Sequence, residues 1–154
     1  MNNLSTECFL RVLQLHRKIQ HNVKKNLAEL GFAWNQYSIL KSINPGETLT
    51  LSEISARAVK VNSNVTSLVD FLEEKGIVMR INDPDDRRVI RVKLTDEGVK
   101  VRKETIEKHE AFVNTLFSQI EDNEKKLFIE AADAILKGVE QVLDCDINSL
   151  PTLH

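Results

Sequence analysis

The chain has 154 residues, 42% of them hydrophobic and 29% charged, with a formal net charge of −2. That suits one packed domain, or a small module with attached helices, and no run approaches the roughly 18 apolar residues of a membrane span. The polar start Met1–Glu7 lacks the basic-then-apolar order of a secretory leader, and two cysteines, Cys8 and Cys145, make neither a disulfide framework nor a CxxC zinc pair, so a reducing cytoplasm is the expected location.

In chain order, Val12, Leu15, Ile19, Val23, Leu27 and Leu30 recur at steps of three and four and predict a helix over 5–30 with one apolar stripe, closed by Gly31. A shorter helix follows over 35–43, burying Tyr37, Leu40 and Trp34, and Asn44-Pro45-Gly46 turns the chain. Thr50-Leu51-Ser52-Glu53 has the form of a capping box opening a third helix over 51–58. Residues 59–61 turn into a fourth helix, 62–75, whose inward stripe is Val65, Leu68, Val69 and Leu72 and whose end is capped by Gly76. Two segments alternate with period two, 77–81 and 89–94, and Pro84 among aspartates makes the segment between them the tip of a hairpin. Thr95 caps a long fifth helix reaching Ile120, with Val99, Ile106, Val113 and Ile120 at heptad spacing; a sixth covers 123–143.

The charge is unevenly spread. Residues 1–56 hold six Lys/Arg against four Asp/Glu, residues 57–103 eleven against eight, and residues 104–154 four against eleven. A mildly basic middle is therefore masked by an acidic end, and local charge governs attraction to phosphate. Within that middle, two short helices and a hairpin form a winged helix-turn-helix pattern. Asn62, Ser63, Asn64, Thr66 and Ser67 put short hydrogen-bonding side chains at the start of the fourth helix, as a major-groove reader requires. Asparagine and serine also start helices with no such role. At the hairpin tip, Asp86 stands two residues before Arg88 and can brace its guanidinium outward toward a narrow minor groove.

The segments Asn62-Ser63-Asn64-Val65-Thr66, Leu72-Glu73-Glu74-Lys75-Gly76-Ile77-Val78, Asp86-Arg87-Arg88-Val89 and Leu94-Thr95-Asp96-Glu97-Gly98 resemble the multiple-antibiotic-resistance regulator (MarR) family, and the flanking helices match as well. The resemblance implies a mainly α (α+β) fold in the order helix, helix, strand, helix, helix, strand, strand, helix, helix. Residues 1–34 and 99–154 would form the dimerisation region and residues 35–98 the DNA-binding lobe. It further implies a homodimer on double-stranded DNA, probing successive major grooves of a pseudo-palindromic operator, usually as a repressor. A small aromatic or phenolic effector releases many relatives. Arg88 matches the minor-groove reader, Asp86 its partner, and Arg87 a phosphate contact; Ser63, Asn64 and Thr66 match contacting positions of the recognition helix. Ser67 and Phe71 depart from the pattern, since arginine is frequent at both, and Ala33 replaces a frequent threonine cap.

Cys8 lies near the position used by hydroperoxide sensors of that family, but the tyrosines that hold their thiolate are missing from the first helix, so a buried apolar cysteine is expected. An oxidant sensor through Cys8, or an adaptor that has lost DNA binding, are the alternatives. His16, His21, His109 and His154 lack metal-ligand spacing, and His109 reads as a hydrogen-bonded interface histidine. No P-loop, GxGxxG, GxSxG or HExxH motif supports an enzyme or a cofactor.

Overall fold

A computed structural model describes residues 3–58, 64–86 and 88–144, with side chains described through 141. Its elements are α1 (Leu4–Glu29), α2 (Trp34–Ser42), β1 (Leu49–Thr50), α3 (Leu51–Arg57), α4 (Val65–Glu74), β2 (Val78–Asn82), β3 (Ile90–Leu94), α5 (Asp96–Leu116) and α6 (Asp122–Asp144). This is the order expected of a winged helix-turn-helix with flanking helices.

Local chemistry sets most of the boundaries. Thr50 Oγ1 accepts the Glu53 N–H at 3.2 Å while Glu53 accepts the Thr50 N–H at 2.8 Å, the reciprocal capping box that starts α3. At α2 only half of such a box exists: Gln36 Oε1 accepts the Ala33 N–H at 2.7 Å, and alanine has no side-chain acceptor to return the bond. Past the end of α4, Gly76 at φ +69° lets its own N–H reach Glu73 O and that of Ile77 reach Leu72 O, a Schellman closure. This explains why β2 begins at Val78 rather than Ile77. Likewise the Val89 N–H is donated to Asp86 O within the hairpin tip, so β3 begins at Ile90.

Three further boundaries differ from the sequence reading. Helix α4 starts at Val65, because Asn64 is its N-cap: Oδ1 accepts the Thr66 N–H at 3.0 Å. Asn62 and Ser63 lie outside the described residues, as do residues 59–61, Arg87, Cys145 and His154. Helix α5 stops at Leu116, where the N–H groups of Phe117 and Ser118 bond three residues back and tighten the chain, leaving Ile120 beyond the helix. Helix α6 starts one residue early, at Asp122, with Glu124 Oε2 accepting the Glu121 N–H at 2.7 Å.

The sheet is antiparallel in the order β1-β3-β2, with Arg80 opposite Val92, and Thr50 and Ile81 both opposite Arg91. Its inner face, Val78, Val92 and Leu94, packs with Ile39 and Leu40 of α2, Ile54 of α3, and Val69 and Leu72 of α4. Full burial of each such aliphatic side chain is worth about 1.5–3 kcal/mol. Gly98 in the first turn of α5 belongs to this closure: a Cβ there would lie 1.8 Å from the carbonyl oxygen of Ile77. Thr95 fastens the same junction, donating its hydroxyl to Gly76 O at 2.6 Å and accepting the Gly98 N–H at 2.9 Å.

The chain divides into two compact units, 1–112 and 113–154. In the first, the α1 stripe is buried only toward its end: Leu27 is fully enclosed and Val23 and Leu30 pack on the core, but Val12 and Leu15 are exposed with Phe9, Leu10 and Leu13. Cys8 is exposed there too, contrary to expectation, because the first half of α1 finds nothing in its own unit to cover it. Trp34, expected inside, is 47% exposed; it opens α2 one turn before Tyr37, and its ring stands 6.1 Å from the Tyr37 ring without being enclosed. In the second unit no described α6 residue is buried, and Leu127, Phe128, Ile129, Ile135, Leu136 and Val139 are all exposed. Among the described residues no helix is long and apolar enough to cross a membrane.

Candidate nucleic-acid interface

Helices α3 and α4 pack through Ile54, Val69 and Leu72, which fixes the outward face of α4. Thr66 and Ser67 are exposed on that face, with Asp70 one turn on and Asn64 at the cap. The oxygen of Asn64 is engaged with the helix backbone, so its amide nitrogen is the end suited to a base edge. Phe71 is half-buried, and Lys75 Nζ stands 5.0 Å from its ring centroid, a cation–π pair next to the helix end. Of the two positions where arginine is frequent in the family this chain resembles, Phe71 thus packs against the core and Ser67 is exposed.

The wing is β2, β3 and the tip between them. Asp83, only 7% exposed, organises this tip. Its Oδ1 accepts the N–H groups of Asp85 at 2.8 Å and Asp86 at 3.1 Å, its Oδ2 accepts from Nε of Arg91, and its own N–H is donated to Val89 O. The Arg91 guanidinium, followed by the two backbone donors, holds the Asp83 carboxyl below the usual carboxylate range. Asp86 does something other than expected: its Oδ1 accepts the backbone N–H of Arg88 at 2.9 Å, an Asx-type turn, rather than bracing the guanidinium. The Arg88 side chain is exposed and makes no ion pair among the described residues.

Several other cations of the basic middle are already occupied. Arg80 on β2 bridges Asp70 at 2.6 Å and Glu73, and its N–H is donated to Glu73 Oε1 at 3.0 Å, tying the recognition helix to the wing. Arg57 pairs with Glu47 at 2.7 Å, which draws the Glu47 carboxyl down. Arg102 Nη2 donates to Lys41 O and Asn44 Oδ1, both at 3.0 Å. Free positive charge at this face is therefore smaller than a count of Lys and Arg suggests.

Sequence reasoning passed over Asp83, Arg91 and Arg80, and it read Glu53 only as a helix cap. For Asp83 a signal existed, since Asp before Pro favours an Asx turn. For the arginines there was none, as their partners are fixed by strand pairing.

Behind the lobe, His109 is 6% exposed and its Nδ1 lies 2.8 Å from Asn26 Oδ1, an oxygen that only accepts, so Nδ1 carries the proton. Tyr37 meets the His109 ring edge-on at 4.8 Å and Phe112 stacks at 6.0 Å. Burial and then the Lys41 charge lower the His109 pKa against the pull of Glu110; burial and Glu110 raise that of Tyr37 against Arg102. Tyr37 Oη and Arg102 Nε are buried without a hydrogen-bond partner among the described residues. No group of three His, Cys, Asp or Glu among them is placed to hold a metal ion.

Comparison with known proteins agrees with this geometry. Residues 32–90 match the model of the MarR family. The transcriptional repressor MdtR of Bacillus subtilis is 34% identical over 97 residues, covering 63% of each chain. The match covers 55% of the length of YsmB and 90% of that of MhqR, both of Bacillus subtilis. The crystal structure of YusO from Bacillus subtilis superposes with a TM-score of 0.66 at 29% identity, covering 89% of this chain and 95% of that one. CouR from Rhodococcus jostii, solved bound to p-coumaroyl-CoA, gives 0.67 at 26% identity over 88% and 95%. The matched segment, the helix-turn-helix regulators among its relatives and the shared fold together show that the winged helix-turn-helix lobe of this chain is similar to that of MarR-family regulators.

Proposed function

We propose that the chain is a sequence-specific DNA-binding transcriptional regulator, acting as a repressor and as a homodimer on a pseudo-palindromic operator. The observation that carries this reading is the exposed pair of readers on one lobe: the polar face of α4, with Asn64, Thr66 and Ser67, and the wing tip with its exposed Arg88, which makes no ion pair among the described residues. In this reading α4 enters a major groove, with Asn62 and Ser63 contributing just ahead of it. Arg88 enters the adjacent minor groove, Arg87 meets phosphate, and Asp86 shapes the turn that presents them. The second copy is supported by the apolar side chains that α1 and α6 each leave exposed, more than an isolated soluble surface ordinarily shows. Two lobes so joined would meet grooves about 34 Å apart.

The test is duplex selection from a randomised pool, followed by affinity over a salt series. Log affinity falling with log salt is expected, and Arg88→Ala should weaken binding by about tenfold or more without lowering the unfolding temperature. Wild-type affinity in that variant would sink the assignment of the wing.

Effector control is part of the same proposal. CouR was solved with p-coumaroyl-CoA bound, and here the Tyr37 and His109 rings meet beside a buried Tyr37 Oη that has no hydrogen-bond partner among the described residues. Unpaired buried polar atoms cost about 1–3 kcal/mol each, which a polar aromatic ligand would recover. Addition of p-coumaroyl-CoA or its free acid should raise the unfolding temperature and lower duplex affinity; no change in either quantity rejects a phenolic effector of this class.

A further inference from the structure

We propose that Asp83 and Arg91 are positioning residues that aim the wing, with Glu53 linking them to the helix-turn-helix; this rests on the DNA-binding reading above. Neither residue needs to touch DNA. The β2–β3 ladder ends at the pair Asn82 and Ile90, so strand pairing does not set the direction of the tip beyond it. Asp83 sits at that point and divides its carboxylate: Oδ1 gathers the tip backbone through the N–H groups of Asp85 and Asp86, and Oδ2 holds Arg91 in the central strand. Arg91 Nη1 reaches Glu53 Oε2 at 3.8 Å, and that same oxygen accepts from the backbone N–H of Thr50 at 2.8 Å and its hydroxyl at 2.9 Å. A continuous set of contacts thus runs from the wing tip across β3 to the cap of α3. A tip held this way presents Arg88 already ordered, so less conformational freedom is lost on binding.

The rival role for Arg91 is direct phosphate contact, and the two separate cleanly. Asp83→Asn keeps an oxygen for the tip backbone but loses the charged hold on Arg91; Arg91→Gln breaks the hold from the other side, and Arg91→Lys restores its charge. Each is measured in the full chain on a fluorescent duplex selected by the wild type, with circular dichroism and thermal unfolding to show that the lobe is folded. A brace predicts that Asp83→Asn and Arg91→Gln each weaken binding about tenfold, that the double variant is no worse, and that Arg91→Lys recovers part of the loss. It also predicts that Arg88→Ala costs little more once the brace is broken, and that hydroxyl-radical protection fades in the minor groove while the major-groove footprint remains. Wild-type affinity in Asp83→Asn overturns the proposal. So does a salt slope reduced by about one in Arg91→Gln but unchanged in Asp83→Asn, the mark of a phosphate contact. If the wild type selects no duplex at all, the regulator reading fails and the brace fails with it, whereas failure of the brace alone leaves wild-type binding intact.

Discussion

The lobe between Leu27 and Leu94 and the helix α6 are both rich in large aliphatic side chains, yet they use them in opposite ways. In the lobe Leu27, Ile39, Leu40, Ile54, Val69, Leu72 and Val92 are sealed within their own unit; in α6 no described side chain is buried at all. The first half of α1 behaves like α6 although it belongs to the same compact unit as the lobe. Apolar periodicity therefore marks a face that will be covered, and leaves open which chain covers it. The lobe proposed to read DNA closes its core within one chain; the helices proposed to space two such lobes leave their apolar faces open.

The strongest way to break this contrast is to disable the lobe's own closure. Gly98→Ala forces a Cβ onto the Ile77 carbonyl, a backbone atom that cannot swing aside, and should cost more than about 3 kcal/mol, read as the shift in urea midpoint. An unfolding curve like that of wild type would mean that α5 is not seated on β2 as described. Next in size, Leu136→Glu in α6 should turn a sedimenting dimer into a monomer and remove the concentration dependence of thermal unfolding, while the lobe stays folded. Wild-type protein that is monomeric at every concentration would leave the exposed faces without their proposed cover. Thr50→Ala removes the acceptor for the Glu53 N–H and should lower lobe stability by about 1 kcal/mol, measured by the same urea titration.

The smallest effect concerns His109. Its folded pKa lies below its ordinary value of about 6.5, so above that pH both folded and unfolded chains carry it neutral and nothing is lost. As pH falls below about 6.5 the unfolded chain takes the proton first, and stability declines until the folded pKa is passed. The groups around it are Asn26, Lys41, Tyr37, Glu110 and Phe112; burial and Lys41 set the direction, with Glu110 opposing. Unfolding temperature followed from about pH 7 to pH 5 should drop less in His109→Gln than in wild type. Parallel profiles for the two proteins would remove His109 as the cause.

Much of the fold was legible because it rests on short-range rules. The capping box at Thr50 and Glu53, the glycine closing α4 and the threonine opening α5 each act within a few residues, and strand alternation needs only neighbours. Legibility failed where a residue serves a partner far along the chain or outside it. Trp34 and Val12 carry the right chemistry for a core, but burial depends on what lies opposite, and periodicity does not name it. Asp86 was correctly placed in the wing, and its assumed partner was the wrong part of Arg88: the turn brings the backbone N–H, not the guanidinium, to the carboxylate.

The sequence by itself determined that helices, hairpin and polar helix face would assemble as a winged helix-turn-helix, and that Arg88 would stand at its tip. Only the tertiary structure decided which cations remain available to DNA. Arg80 and Arg91 sit in strands whose pairing carries them to Asp70, Glu73, Asp83 and Glu53, and a charge so held serves the geometry of the wing instead of the phosphates. The physical reason is range: helix and turn preferences act between neighbours in sequence, whereas an ion pair forms only where folding has brought its two ends within a few ångströms.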